Sequence, residues 1–104
     1  MKTVFLAISA LLLSLTVASN AFADIALATT KNCLACHAVE KKVLGPSFKD
    51  VAAKYADKPD AVAKLAEKIV KGGVGVWGPV PMPSNTQVNA AEATKLATWI
   101  MNMK

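Results

Sequence analysis

Cys33, Cys36 and His37 stand at i, i+3 and i+4 within Cys33-Leu34-Ala35-Cys36-His37. On a turn of helix these positions share one face. Two thiols so placed can meet two vinyl groups on one edge of a haem, and the imidazole beside them can aim at its iron. The spacing therefore reads as covalent haem attachment. Three other chemistries use the same residue types. A redox-active dithiol needs a strand–helix–strand setting, and no segment shows sustained strand alternation. A structural zinc site needs four Cys or His ligands, whereas the chain has two Cys and one His. A plain disulfide between residues this close would stabilise little.

An iron held by His37 needs either an open position or a second ligand. His37 is the sole histidine, which excludes a pair of imidazoles from one chain. The candidates are Met82, Met101 and Met103. The last two fall within the pattern of the terminal helix, where methionine is ordinary core or surface. Met82 lies between Pro81 and Pro83. Pro81 fixes its own φ, and Pro83 pushes Met82 toward extended geometry. A thioether on so stiff a strap suits the sixth position; the alternative is an apolar loop residue packed on the core. His/Met ligation raises the reduction potential relative to bis-imidazole ligation. It also fills both axial sites, which points to electron transfer and away from catalysis.

These residues must be positioned by a small domain. The chain has 104 residues, room for one domain. Met1-Lys2, the apolar run Val4–Leu15 and the pattern Ala21-Phe22-Ala23 predict a cleaved signal peptide over 1–23. The run is too short to span a bilayer comfortably, which takes ~20 apolar residues. The mature domain, 24–104, is then exported, to the periplasm in a bacterium, without stable membrane insertion. At about 80 residues it sits near the limit for folding on a hydrophobic core alone. A large apolar cofactor would supply the missing core.

The elements read as short helices. Ile25 to about Thr30 forms a first. Phe48, Val51, Ala52 and Tyr55 mark a second at helical spacing. A third opens at Pro59, carries Val62, Leu65, Ala66 and Ile69, and stops at Gly72-Gly73. Asn89 and Glu92 form a capping pair for the last, along which Ala93, Leu96, Ala97 and Ile100 make one stripe. Between the third and last helices, residues 72–88 hold four of the five glycines and three of the five prolines. They predict a long, stiff loop with no secondary structure of its own, and such loops are commonly functional. The expectation is all-α.

Charge comes from twelve Lys and no Arg against seven acids. Without the leader's lysine the net is +4, and two haem propionates would bring it to about +2. Nucleic acid is not expected as a partner. Lys41-Lys42 is the longest basic run, and no aromatic platform is interleaved with basic residues.

With these residues in place the chain resembles the small bacterial class I cytochromes c, the cytochrome c-551/c-552 group. The resemblance covers the whole mature chain. It rests on Leu44-Gly45-Pro46, Asp50-Val51-Ala52-Ala53-Lys54-Tyr55, the run Gly75–Pro83 and a last helix carrying Trp99. It implies four to five short helices wrapped around one haem c, covalent through Cys33 and Cys36, with His37 and Met82 as axial ligands. It further implies that the Pro46 carbonyl orients His37, that the Trp77 indole reaches a propionate, and that Asn85 orients the methionine sulfur. Lys68 stands where an arginine often serves a propionate, and Ser84 where proline is common. Trp99 should pack the last helix across the first. The function implied is a monomeric electron carrier between a quinol-oxidising membrane complex and a terminal reductase, oxidase or peroxidase. A haem-based gas-binding or sensor module, in which Met82 dissociates, is the runner-up.

Overall fold

The computed structural model describes residues 20–104, with side chains from Asp24 onward. The leader expected over 1–23 lies, apart from its last four residues, outside them. Helix α1 spans Asn20–Thr30 and so begins earlier than the apolar pattern predicts. Alanines at 21, 23, 26 and 28 favour helix whichever face they occupy. Asp24 is buried, with Lys95 Nζ 3.7 Å from its Oδ1. Asn32 then turns left-handed at φ 68°, a conformation asparagine tolerates. This ends α1 and starts the 3₁₀ turn Cys33–Ala35.

Helix α2 spans Phe48–Tyr55, capped by Ser47, whose Oγ accepts from the Asp50 N–H at 3.0 Å. Helix α3, Ala61–Lys71, begins two residues after Pro59. Asp60 is its boundary, because the Asp60 carbonyl accepts the Lys64 N–H at 3.0 Å. Helix α4, Ala90–Met101, opens on the capping box that the sequence predicts. Asn89 Oδ1 accepts from the Glu92 N–H at 2.8 Å, and Glu92 Oε1 accepts from the Asn89 N–H at 3.1 Å.

Helix α4 is the hub, packing against α3, α2 and α1. Its stripe of Ala93, Leu96, Ala97 and Ile100 is buried, as are Phe48, Val51, Leu65, Ile69 and Val88 around it. Each large side chain so buried contributes ~1.5–3 kcal/mol relative to exposure. Ala28 and Ala97, both at 0% exposure, let α1 and α4 approach closely.

The segment 72–88 corrects one expectation. It contains an antiparallel hairpin, β1 Gly73–Gly75 and β2 Gly78–Met82, where a loop without secondary structure was expected; the rest of the architecture is the expected set of short helices. Val76-Trp77 forms its two-residue turn. Flanking Gly75 and Gly78, at φ 99° and 110°, supply backbone angles that side chains resist. Pairs form at Gly73↔Met82 and Gly75↔Gly78, so β2 carries two extra residues. Pro79 and Pro81 have no N–H to give a ladder, which is tolerable in an edge strand. The same prolines and the brevity of β1 hide the hairpin from any reading by alternation.

Candidate functional site

One cleft of about 370 Å³ gathers all eight predicted site residues. Cys33, Cys36 and His37 reach it from the 3₁₀ turn. The His37 N–H bonds the Cys33 carbonyl at 3.0 Å and the Cys36 N–H bonds it at 3.2 Å, closing the motif into one turn. Both thiols are free. Burial pushes the Cys33 thiol above its ordinary pKa, with its own backbone N–H pulling weakly the other way. Reactive dithiols need the opposite, a lowered pKa. The geometry thus suits thiols that are joined to something rather than cycled.

His37 is fixed by three neighbours. Its Nδ1–H donates to the Pro46 carbonyl at 2.8 Å, which leaves Nε2 free to ligate a metal. Its ring stacks on Phe48 at 5.2 Å and 21°, and the Trp99 ring meets Phe48 edge-on at 5.4 Å and 64°. Gly45 completes the cradle. A Cβ there would fall 2.8 Å from Nδ1 and 3.0 Å from Nε2, and closer still to Cε1. Only a residue without a side chain fits beside this ring. The Gly45 N–H also bonds the Cys36 carbonyl at 2.7 Å, tying Gly45-Pro46 to the cysteine turn.

Met82 reaches the same cleft from the end of β2, half-buried. Met101 and Met103 pack against the core and do not line it. Asn85, also at the cleft, gives its side-chain amide to the Ile69 carbonyl at 2.7 Å and its backbone N–H to the Val70 carbonyl at 3.1 Å. It thereby tethers the strap to the carbonyl end of α3. Trp77 lines the cleft from the hairpin turn, with Lys54 Nζ 5.2 Å from its ring centroid, a cation–π contact. Lys68, half-buried on α3, borders the cleft and has no carboxylate partner among the described residues. Trp99 makes its ring contact with Phe48 of α2.

The cleft therefore fits a flat, apolar, iron-bearing ligand: two free thiols and a fixed imidazole on one turn, a thioether on the hairpin, and apolar walls of Phe48, Val51, Leu65, Ile69, Leu96 and Ile100. The family profile described as Cytochrome c matches residues 25–104, nearly the whole described chain. The chain belongs to the cytochrome c family. Cytochrome c-552 of Nitrosomonas europaea is 55% identical over the full length of both chains. Cytochrome c-551 of Pseudomonas aeruginosa is 51% identical over 71% of this chain and 70% of its own. The crystal structure of the Nitrosomonas europaea cytochrome c552 superposes with a TM-score of 0.76 at 56% identity, covering 77% of this chain and 99% of that one. The fold is that of a class I cytochrome c, with four helices and a small two-stranded sheet. The cofactor of this cytochrome c is one covalently bound haem c, for which Cys33 and Cys36 supply the thiols. The protein is accordingly a small single-haem electron-transfer cytochrome.

Two residues whose contacts sequence reasoning passed over stand beside the cleft without lining it. Lys54 reaches the Trp77 ring, and Gln87 bonds both Asn85 and the backbone of Lys31. No signal marks Gln87, and Lys54 enters only as one position of the Asp50–Tyr55 run, with nothing to point it at Trp77. Gly45 was legible as part of Leu44-Gly45-Pro46, but not as the floor of the His37 cradle.

Proposed function

We propose that this protein is a periplasmic one-electron carrier whose haem iron is held between His37 and Met82. It is made with a leader removed after Ala23. It takes electrons from a quinol-oxidising membrane complex and passes them to a terminal reductase, oxidase or peroxidase. One observation carries the reading: His37, from the cysteine turn, and Met82, from the hairpin, line the same cleft, while Met101 and Met103 do not.

The haem supplies one-electron iron chemistry when bound. The chain's part is to hold the ligands still. His37 Nδ1–H on Pro46 fixes the ring and raises the basicity of the nitrogen that ligates. Met82 on its strap would hold the iron from the side opposite His37, and a metal so held would serve electron transfer and not substrate binding. Lys68, a cation at the cleft without a carboxylate partner among the described residues, suits one propionate. The indole N–H of Trp77 suits another acceptor on the same group. Asn85 spends one amide hydrogen on Ile69, and its second is available toward the Met82 sulfur. Comparison of three methionine variants tests the ligand pair. Met82→Ala should lose the near-infrared sulfur-to-iron band and gain carbon monoxide binding. Its potential should fall by a fraction of the ~0.8 V over which axial ligands set haem potentials. Met101→Ala and Met103→Ala should do neither. A band that survives in Met82→Ala and vanishes in Met101→Ala would overturn the assignment.

A further inference from the structure

A polar chain links the two ends of the site without touching the cleft's apolar wall. Gln87 and Lys31 hold each other reciprocally across 56 positions of sequence. The Gln87 side-chain amide donates to the Lys31 carbonyl at 2.9 Å, and Lys31 Nζ donates to the Gln87 carbonyl at 3.1 Å. The second hydrogen of the same amide goes to Asn85 Oδ1 at 3.1 Å. Asn85 is in turn pinned to the Ile69 and Val70 carbonyls at 2.7 and 3.1 Å. Lys31 stands two residues before Cys33, and Asn85 three residues after Met82. Glu92 steadies the lysine, 3.1 Å from its Nζ.

We infer that Gln87 is a positioning residue for the Met82 strap, transmitting the fixed place of the cysteine turn to Asn85 and so holding the thioether on its ligating side. The argument is geometric. Once the thiols are joined to the cofactor, the turn that carries them is the most constrained part of the chain. The strap has no such bond; Val80, Pro81 and Pro83 are exposed and Met82 is only half-buried. Its position depends on tethers. Asn85 is one, and Gln87 is the only side chain among the described residues that ties Asn85 to the cysteine side of the molecule. Gln87 touches neither cleft nor ligand, so its effect is exerted through Asn85.

The inference rests on Met82 as axial ligand, and the experiment separates the two. In the oxidised holoprotein, the pH and temperature at which the sulfur-to-iron band is lost measure the equilibrium between bound and released thioether. Circular dichroism followed alongside reports unfolding. Gln87→Ala removes two neutral hydrogen bonds, and loss of the one that reaches Asn85 should by itself shift that equilibrium toward release by about two- to tenfold. Gln87→Glu keeps the length and an attraction to Lys31 but has no N–H, and should shift it likewise with the fold retained. Thr86→Ala, at an exposed neighbour, should not. In an Asn85→Ala background the Gln87→Ala effect should disappear, since coupled residues are not additive. Unchanged band loss in both Gln87 variants, or full additivity with Asn85→Ala, would overturn the role of Gln87 and leave the ligand assignment standing. A wild-type protein with no sulfur-to-iron band would overturn both.

Discussion

Replacing Gly45 by alanine tests the cradle of the histidine more sharply than replacing the histidine would. The backbone of Gly45 is not in the left-handed region, so alanine meets no conformational penalty there; the conflict is one of space. Its Cβ would stand 2.8 Å from His37 Nδ1, and ordinary contact begins near 3.4 Å, so the ring must yield by at least 0.6 Å. The ring is already committed to the Pro46 carbonyl at 2.8 Å and stacked on Phe48. A shift of that size away from the carbonyl takes the bond to the edge of hydrogen-bonding range. Overpacking costs about 1–3 kcal/mol and the weakened bond about 0.5–1.5. Together they amount to roughly 2–4 kcal/mol, a fall in Tm of some 10–20 °C for a domain this small. Thermal melts of the holoprotein read the cost, and the proton NMR signal of His37 Nδ1–H reads the bond. Gly75→Ala is the internal contrast. No atom crowds its Cβ within 4 Å, but its φ of 99° is one that alanine resists. It should lower Tm while leaving the His37 signal in place. If Gly45→Ala keeps both the Tm and the His37 signal of wild type, the close approach of this glycine to the ring has no bearing on ligand geometry.

Two further outcomes follow from charge. The Asn89 backbone N–H, and after it Lys31, hold the Glu92 carboxyl below its ordinary value of 4.5; its contribution is therefore fully present above about that pH and is lost as pH falls through the depressed pKa. Wild type should be more stable than Glu92→Gln at pH 7, with the gap in Tm closing toward pH 3, and a gap independent of pH would show that this carboxylate's charge does not matter. Lys41 and Lys42 are exposed beside Val43 and Leu44, the latter 62% exposed, and one unit pair at ~10 Å in water is worth ~0.4 kcal/mol. Reversing either charge with Lys41→Glu or Lys42→Glu should slow electron transfer to an acidic partner about fourfold at low salt, converging on wild type as salt screens the pair. A rate ratio constant across ionic strength would remove these lysines from the encounter.

Much of the site was legible because its chemistry is local. The cysteine–histidine turn, the capping box of α4 and the helical stripe of α2 each depend on residues within one or two turns of each other, and such spacing survives in the bare sequence. Met82 could be singled out because two prolines bracket it. The hairpin was not legible, because its signal is carried by the backbone angles of Gly75 and Gly78, while Pro79 and Pro81 argue against a strand. The start of α1 was misjudged because alanine contributes to helix without contributing to an apolar pattern. Lys54 on Trp77 and Gln87 on Lys31 lay beyond reach for a different cause. They join residues 23 and 56 positions apart, and only the fold brings them together. Net charge and composition exclude partners but place no contact.

The two sides of the cleft are built by different physics, and this bears on how the molecule holds its potential. The walls that the helices give the cleft are core. Phe48, Val51, Leu65, Ile69, Leu96 and Ile100 are at once buried in the packing of the helices and lining the cleft. Losing the cofactor therefore exposes the very surface that holds α2, α3 and α4 together, and a chain of this size has little else to offset it. On the Met82 side the strap is largely exposed and is kept in place by hydrogen bonds to the carbonyl end of α3. Regions with few buried apolar contacts open at lower free energy than the core. The thioether should thus be the ligand that leaves first, on heating or on raising pH, with the helices still packed and His37 still on Pro46. On the proposed His37/Met82 ligation an electron carrier needs its distal ligand to stay on, and the tethers inferred to reach the strap from α3 and from the cysteine turn would set the margin by which it does.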